Sequence, residues 1–129
     1  MATIVVIEDD PGVCDLIETI LSRVGHRVIV AGGASDGAAI ISREFAGGNE
    51  QILVITDIFM PDRDGLELTA ELKREYPELP IIAISGGGSE GDMGYLTEAL
   101  TFGASLALPK PFRPIELRAA VDELLRSVD

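Results

Sequence analysis

The chain has 129 residues, of which 47% are hydrophobic and 25% are charged, a composition that suits one globular domain with a buried core. Its net charge of −12 argues against direct nucleic-acid binding, because such binding depends on basic patches. The sequence contains no apolar run near the roughly 18 residues of a membrane span, and its first residues lead us to expect no signal peptide. A single cysteine, Cys14, leaves no internal disulfide, so we expect a cytoplasmic protein without membrane contact.

Five short apolar runs predict β-strands. They are nearly continuous in Ile, Val and Leu, which is typical of strands covered on both faces in a parallel sheet. The predicted strands are Thr3–Ile7, Arg27–Ala31, Ile52–Thr56, Pro80–Ser85 and Ser105–Leu108.

Apolar residues at helical spacing follow each predicted strand. The five helices are indicated by residues 13–24 between Pro11 and Gly25; by Ala38, Ile41 and Phe45 before Gly47; by Leu68, Leu72 and Tyr76 before Pro77; by Met93, Leu96 and Leu100 before Gly103; and by Leu117, Val121, Leu124 and Val128 after Pro114. This alternation predicts an α/β fold with a doubly wound, five-stranded parallel sheet. We expect residues 1–129 to form a single domain with no output domain.

Chemically distinctive residues stand where four of the predicted strands end. Glu8-Asp9-Asp10 follow the first strand, Asp57 the third and Lys110 the fifth, and Ser85 ends the fourth. The carboxyl ends of parallel strands meet at one edge of a sheet, where ligands bind in such folds. Carboxylates, a hydroxyl and an ammonium are what a carboxylate needs to accept a phosphoryl group with the help of a divalent cation.

The acidic residues of this group predict a cation site. Asp57 follows an aliphatic run, where a carboxylate needs a partner. Beside Glu8 and Asp9 it would form a like-charge cluster whose pKa values rise unless a cation binds. Mg²⁺ fits because it prefers oxygen ligands, whereas zinc prefers His and Cys. Solubility is an equally open explanation for the overall acidity, and Asp10 alone reads as the cap of the following helix.

In this order and at these separations, the motifs resemble the receiver domains of two-component response regulators. The resemblance covers essentially the whole chain. Within the family, the chain is similar to single-domain receivers of the chemotaxis-regulator type. It is carried by Ile4–Asp10, Asp57–Gly65, Ser85, Gly103-Ala104 and Leu108–Phe112. It implies a flavodoxin-like (βα)5 fold with strand order 2-1-3-4-5.

The resemblance also implies a role for each site residue. The implied roles are phosphoryl acceptor for Asp57, Mg²⁺ ligands for Glu8, Asp9, Asp57 and the backbone carbonyl of Phe59, and phosphate contacts for Ser85 and Lys110. In this family the peptide bond after that lysine is commonly cis, which Lys110-Pro111 permits.

The implied function is a phosphorylation-controlled switch. A sensor histidine kinase or a histidine phosphotransfer protein would donate the phosphoryl group, and the acyl phosphate would change contacts with a downstream protein target. The protein would be a monomer or a phosphorylation-dependent homodimer, and not an enzyme beyond Mg²⁺-dependent self-phosphorylation and slow autodephosphorylation. It would serve as a stand-alone regulator or as a phosphorelay intermediate.

Three alternatives to this switch stay open. The chain could instead be a receiver-like interaction module that is not phosphorylated, or a receiver segment of a hybrid histidine kinase. The third is a phosphohydrolase with an aspartate nucleophile, but the residues directly after Asp57 offer no second acid to activate water.

Three features depart from the family pattern. Ala107 stands where the family usually has Tyr, Phe or His, so we expect output to depend more on the loop after Ser85 and on the fourth helix. That loop is rich in glycine, and the stretch from Ser85 to Lys110 is longer than usual in the family. Phe59 and Gly87 offer no polar side chain to orient an attacking water, which predicts a long-lived acyl phosphate.

Three other signals are set aside. The loop after Ser85 fits the dinucleotide-binding pattern G-x-G-x-x-G, but the required acid is missing from the next strand end. His26 lies in a turn away from the predicted site. Cys14 lacks cationic neighbours, so we do not expect a reactive thiol.

Overall fold

The computed structural model describes residues 2–60, 64–86 and 94–126, and these residues form a five-stranded parallel sheet with helices on both faces. The strand order is β2-β1-β3-β4-β5, which confirms the predicted fold class and order. The strands are β1 (Thr3–Ile7), β2 (Arg27–Ala31), β3 (Ile52–Asp57), β4 (Ile81–Ser85) and β5 (Leu106–Pro109). The helices are α1 (Pro11–Arg23), α2 (Ala34–Ala46), α3 (Gly65–Glu75), α4 (Gly94–Thr101) and α5 (Pro114–Arg126).

Four predicted strand boundaries, in three strands, were wrong by one residue. β3 continues to Asp57, which pairs with Ile84. β4 starts after Pro80, whose ring nitrogen has no proton for a ladder hydrogen bond, although its carbonyl accepts one from Val54 N at 3.0 Å. β5 is shifted by one residue, because Ser105 N bonds Ile81 O just before the paired stretch begins and Pro109 still pairs with Ser85.

The core has two layers, one on each face of the sheet. Successive strand residues point to opposite faces, so Val5 and Val54 join the layer under α2, α3 and α4, while Ile4 and Leu53 join the layer under α1 and α5. All four of these side chains are fully buried. Burial of each such aliphatic side chain contributes about 1.5–3 kcal/mol, so the sheet is a rigid base for the residues at its edge.

Aspartates cap two of the helices next to this edge. The Asp10 side chain accepts hydrogen bonds from Gly12 N and Val13 N at the start of α1, as predicted for that residue. Asp64 accepts one from Leu66 N at the start of α3. Two residues predicted within helices, Met93 and Val128, lie outside the described residues, as does Gly87. Among the helices described, none has the length and apolar character needed to cross a membrane.

Candidate functional site

The register of the sheet places four of its strand ends side by side. Ile7 pairs with Thr56, so Glu8 and Asp57 follow on neighbouring strands. Asp57 pairs with Ile84, which puts Ser85 one residue further along β4. Ser85 in turn pairs with Pro109, and its carbonyl accepts a hydrogen bond from Lys110 N at 2.9 Å. The residues singled out in the sequence therefore lie along one edge.

Three carboxylates meet at this edge. One carboxylate oxygen from each of Glu8, Asp9 and Asp57 lies within 4.8 Å of the other two. Glu8 and Asp57 are buried, with 1% and 5% of their surface exposed, whereas Asp9 is exposed. The cluster is therefore two buried acids with a third at the solvent side.

Lys110 bridges the two buried acids. Its Nζ lies 2.7 Å from Glu8 Oε1 and 3.4 Å from Asp57 Oδ2, and one fifth of its side chain is exposed. With three carboxylates and one ammonium ionised, the cluster carries two uncompensated negative charges. Such a cluster favours a divalent cation.

The protonation of the cluster follows from its burial. Burial raises the pKa of the Glu8 and Asp57 carboxyl groups above their ordinary values, although Lys110 opposes this. Burial disfavours the charged form of Lys110, but its hydrogen bond to Glu8 and the charges of both acids together raise its pKa. The lysine therefore stays charged while the buried acids resist full ionisation.

The chain itself orients the carboxylates. Phe59 N donates a hydrogen bond to Asp57 Oδ1 at 3.3 Å, and Thr56 Oγ1 donates one to Asp57 O at 3.0 Å. Asp10 N donates to Glu8 Oε2 at 3.0 Å. Each buried acid is thus held by a backbone amide on one oxygen and by Lys110 on the other.

Two glycines allow this close packing, and the sequence analysis did not identify their role. A Cβ at Gly65 would lie 2.6 Å from Ile58 Cα and would overlap Asp57 O, because α3 begins against the backbone of residues 57–59. We call these residues the acceptor segment, after the role implied for Asp57. A Cβ at Gly86 would lie 2.6 Å from Lys110 Cβ. The only signal in the sequence is that each glycine stands beside a helix cap or a strand end.

The donor set suits a hard divalent cation. Within residues 2–60, 64–86 and 94–126, Glu8, Asp9 and Asp57 are the one group of three acidic, His or Cys side chains close enough to hold a metal ion. They offer oxygen ligands alone, which match Mg²⁺ rather than zinc. Lys110 pairs with one oxygen of Glu8 and one oxygen of Asp57, so it offsets only part of the charge of the three carboxylates.

Other residues considered in the sequence take different places. The Lys110-Pro111 peptide bond is cis. Ala107 pairs with Ala83 and packs, half-buried, on the core. His26 Nδ1 accepts a hydrogen bond from Ala2 N at the opposite edge of the sheet. The thiol of Cys14 donates to Glu8 O, and burial together with the nearby acids raises its pKa, so it is not a thiolate.

Comparison with known proteins gives one consistent family. Residues 4–122 match the family model of the response regulator receiver domain. Over 97% of its length the chain is 38% identical to the transcriptional activator protein PfeR of Pseudomonas aeruginosa, and over 98% it is 36% identical to the DNA-binding transcriptional regulator NtrC of Azospirillum brasilense. The chain spans 38% and 24% of the lengths of these two relatives.

One solved structure with a similar overall fold is the response regulator receiver domain protein from Clostridium thermocellum. It superposes with a TM-score of 0.86 at 27% sequence identity, covering 98% of this chain and 96% of that one.

Proposed function

The chain belongs to the response regulator receiver domains of two-component systems, and we propose that it is a switch that accepts a phosphoryl group on Asp57. The observation that carries the proposal is the position of Asp57, whose Oδ2 lies 3.4 Å from Lys110 Nζ and which has a carboxylate oxygen within 4.8 Å of oxygens of Glu8 and Asp9. A nucleophilic carboxylate, a compact cation and a set of oxygen ligands are the three parts that phosphoryl transfer needs.

In the proposed reaction, a carboxylate oxygen of Asp57 attacks the phosphorus of a phosphohistidine on the donor protein. The new P–O bond forms as the P–N bond breaks, and the electron pair stays on the imidazole nitrogen, which takes up a proton. Asp57 Oδ1 is held by Phe59 N and Oδ2 by Lys110, so the carboxylate is oriented before the donor arrives.

Charge on the transferred group is the main barrier to this reaction. Mg²⁺ would be held by Glu8, Asp9, Asp57 and the backbone carbonyl of Phe59, and it would neutralise charge on the equatorial oxygens. Lys110 contributes one further positive charge, and its raised pKa keeps it protonated at neutral pH.

After transfer, Lys110 and Ser85 are proposed to bind the phosphate oxygens. Lys110 would exchange its bond to Asp57 Oδ2 for one to the phosphate while keeping its 2.7 Å contact with Glu8. Ser85, at the end of β4 next to the strand that carries Asp57, would donate a hydrogen bond from its hydroxyl to the acyl phosphate. The change at Ser85 and in the following segment is the proposed output.

The proposed partners are proteins. The donor is a sensor histidine kinase or a histidine phosphotransfer protein, and the recipient of the signal is a downstream protein target in the cytoplasm. A net charge of −12 argues against direct contact with nucleic acid. The chain matches less than half of the length of each relative named as a transcriptional regulator, so these matches do not indicate that the chain binds DNA.

The test is intact mass spectrometry after incubation with acetyl phosphate and Mg²⁺. We expect one phosphate adduct on the wild-type protein, none on Asp57→Asn, and none when Mg²⁺ is chelated. Asp64→Asn is the matched control, because Asn is an equally good helix cap at that position and the adduct should be retained.

Two outcomes would contradict the proposal. One is an adduct of equal yield on Asp57→Asn. The other is no adduct from acetyl phosphate or from phosphorylated histidine donors, which would favour an interaction module that is not phosphorylated. The adduct, once formed, is expected to be long-lived, because Phe59 offers no polar group to an attacking water.

A further inference from the structure

Two aromatic side chains join the acceptor segment to α4. The rings of Phe59 and Tyr95 pack edge to face, with centroids 4.6 Å apart and planes at 76°. Phe59 follows Asp57 by two residues, and Tyr95 is the second residue of α4. This geometry is the one that aromatic pairs prefer, because the positive edge of one ring meets the negative face of the other.

The chain on either side of this pair is held by contacts that reach the site or the core. The backbone amide of Phe59 donates to Asp57 Oδ1 at 3.3 Å, and Phe59 forms an isolated bridge with Asp64 at the start of α3. On the other side, the residue after Tyr95 is the buried Leu96, and Ala99 one turn further on is fully buried. A shift of either ring therefore moves its backbone or breaks the pair.

We propose that Tyr95 is a positioning residue of the Asp57 site: through the ring of Phe59 it holds the backbone that orients Asp57, and so couples the site to α4. This inference rests on the proposed function, because it concerns the same cation and phosphoryl site. Ala107 carries no ring and packs on the core, so it does not make such a connection.

The coupling works in both directions, as any linkage between two sites must. A cation at Glu8, Asp9 and Asp57 restricts the segment that carries Phe59 and thereby the Tyr95 ring. Conversely, loss of the Tyr95 ring frees Phe59, and the segment must then be ordered when the cation binds, which weakens binding.

The first measurement is calorimetric titration of Mg²⁺ into the wild-type protein and two variants. Tyr95→Ala is expected to raise the Kd for Mg²⁺ by about 2- to 10-fold, the range set by the strength of one aromatic pair. Tyr95→Phe keeps the ring and is expected to bind like the wild type. Tyr76→Leu is the matched control, since it breaks the other aromatic pair, with Phe45, at the opposite edge of the sheet, and should leave the Kd unchanged.

The second measurement is a spectroscopic signature. The chain has no tryptophan and two tyrosines, so Tyr76→Phe leaves Tyr95 as the only strong emitter. We expect Tyr95 emission to change as Mg²⁺ saturates this variant, with the same midpoint as in calorimetry. A Tyr76→Phe, Asp57→Asn double variant should show no such change.

The proposal is overturned if Tyr95→Ala binds Mg²⁺ with wild-type affinity, or if Tyr95 emission does not change at saturation. Should Tyr95→Ala fail to fold, Phe59→Leu removes the other ring of the pair, with the same expected loss of affinity and the same contrary result. If the wild-type protein itself does not bind Mg²⁺, the proposed function fails; if it binds and the variants do not differ, only the role of Tyr95 fails.

Discussion

At the scale of single residues, the site depends on one ammonium held between two buried carboxylates. Lys110 lies 2.7 Å from Glu8 and 3.4 Å from Asp57, and both acids have raised pKa values because they are buried. Removing the ammonium from this group leaves two buried carboxylates without their cation, which is more costly than the intact group. The pH dependence of stability should therefore reveal the arrangement.

Lys110→Met is expected to lower the free energy of unfolding by about 1–3 kcal/mol at pH 8, because Glu8 and Asp57 lose their cation. The folded-state pKa of Lys110 is raised above the ordinary value of 10.5, so its contribution to stability is fully present at pH 8, which lies below both values. In the variant, the folded-state pKa values of the two acids rise further. The ionised carboxylates of the variant therefore lower its stability at pH values above these pKa values. This loss of stability disappears as the pH falls and both carboxylates are protonated.

Urea unfolding between pH 8 and pH 4 should accordingly show that the difference in free energy of unfolding between the wild type and Lys110→Met becomes smaller in acid. Added Mg²⁺ should also reduce this difference at pH 8. Lys73→Met is the control, since Lys73 Nζ donates to Leu79 O at the opposite edge of the sheet and its loss should not respond to Mg²⁺. A deficit in Lys110→Met that is constant with pH and with Mg²⁺ would contradict this account.

Asp57→Asn is expected to stabilise the ion-free protein at pH 8 by about 1–2 kcal/mol, because it removes one charge from the cluster while its amide oxygen still accepts from Phe59 N. The raised folded-state pKa of Asp57 means that its carboxylate lowers stability as pH rises through that value, so the gain should vanish in acid. Thermal unfolding across this pH range measures the gain in stability, and repeating it with Mg²⁺ measures how much the ion stabilises the variant. The result is contradicted if Mg²⁺ stabilises this variant as much as it stabilises Asp64→Asn.

At the scale of elements, the position of α3 decides where the acceptor segment lies. Gly65 N donates to Ile58 O at 2.8 Å, and Thr69 Oγ1 donates to Gly65 O one turn later. The first turn of α3 is therefore packed directly on the backbone that follows β3. Only a residue without a side chain fits there.

Gly65→Ala is expected to lower the free energy of unfolding by about 2–3 kcal/mol, because its Cβ meets backbone atoms that cannot move independently. Gly32→Ala is the control, since nothing lies within 4 Å of its Cβ position and the change should be about 0.5 kcal/mol or less. Chemical denaturation of the two variants tests the difference. Equal losses would show that α3 does not restrict this segment.

The output element is expected to be the segment that ends in α4. Since Ala107 has no ring and Phe59 packs on Tyr95, phosphorylation at Asp57 should change amide hydrogen exchange between Ser85 and Phe102. The second half of helix α2, where Ile41 is buried in the core and Phe45 stacks on Tyr76, should exchange equally in both states. Unchanged exchange across Ser85–Phe102 would contradict this route.

At the scale of the whole molecule, the pattern of apolar residues was enough for the fold class, because the central strands β1, β3 and β4 are buried on both faces and the helices between the strands are amphipathic. The strand order came from the resemblance to a family and is confirmed. The strand ends shifted by one residue, because Pro80 lacks an amide proton and because Asp57 still pairs with Ile84.

The details of the site were less accessible from the sequence. Strand ends predicted which residues approach each other, but not that Lys110 bonds Glu8 more closely than Asp57. The clash that a side chain would cause at Gly65 depends on how a helix packs on a distant loop. The pairing of Phe59 with Tyr95 joins segments far apart in the chain, and no local pattern encodes such a contact.

The central claim is that Asp57 is the phosphoryl acceptor, and the most direct measurement identifies the modified residue. The protein is phosphorylated with Mg²⁺ and acetyl phosphate and then reduced with borohydride, which converts an aspartyl phosphate to homoserine. Peptide mass spectrometry is predicted to find homoserine at position 57 alone, and none in a sample treated without a phosphodonor. Homoserine at Asp9 or Asp64 in place of Asp57 would contradict the account.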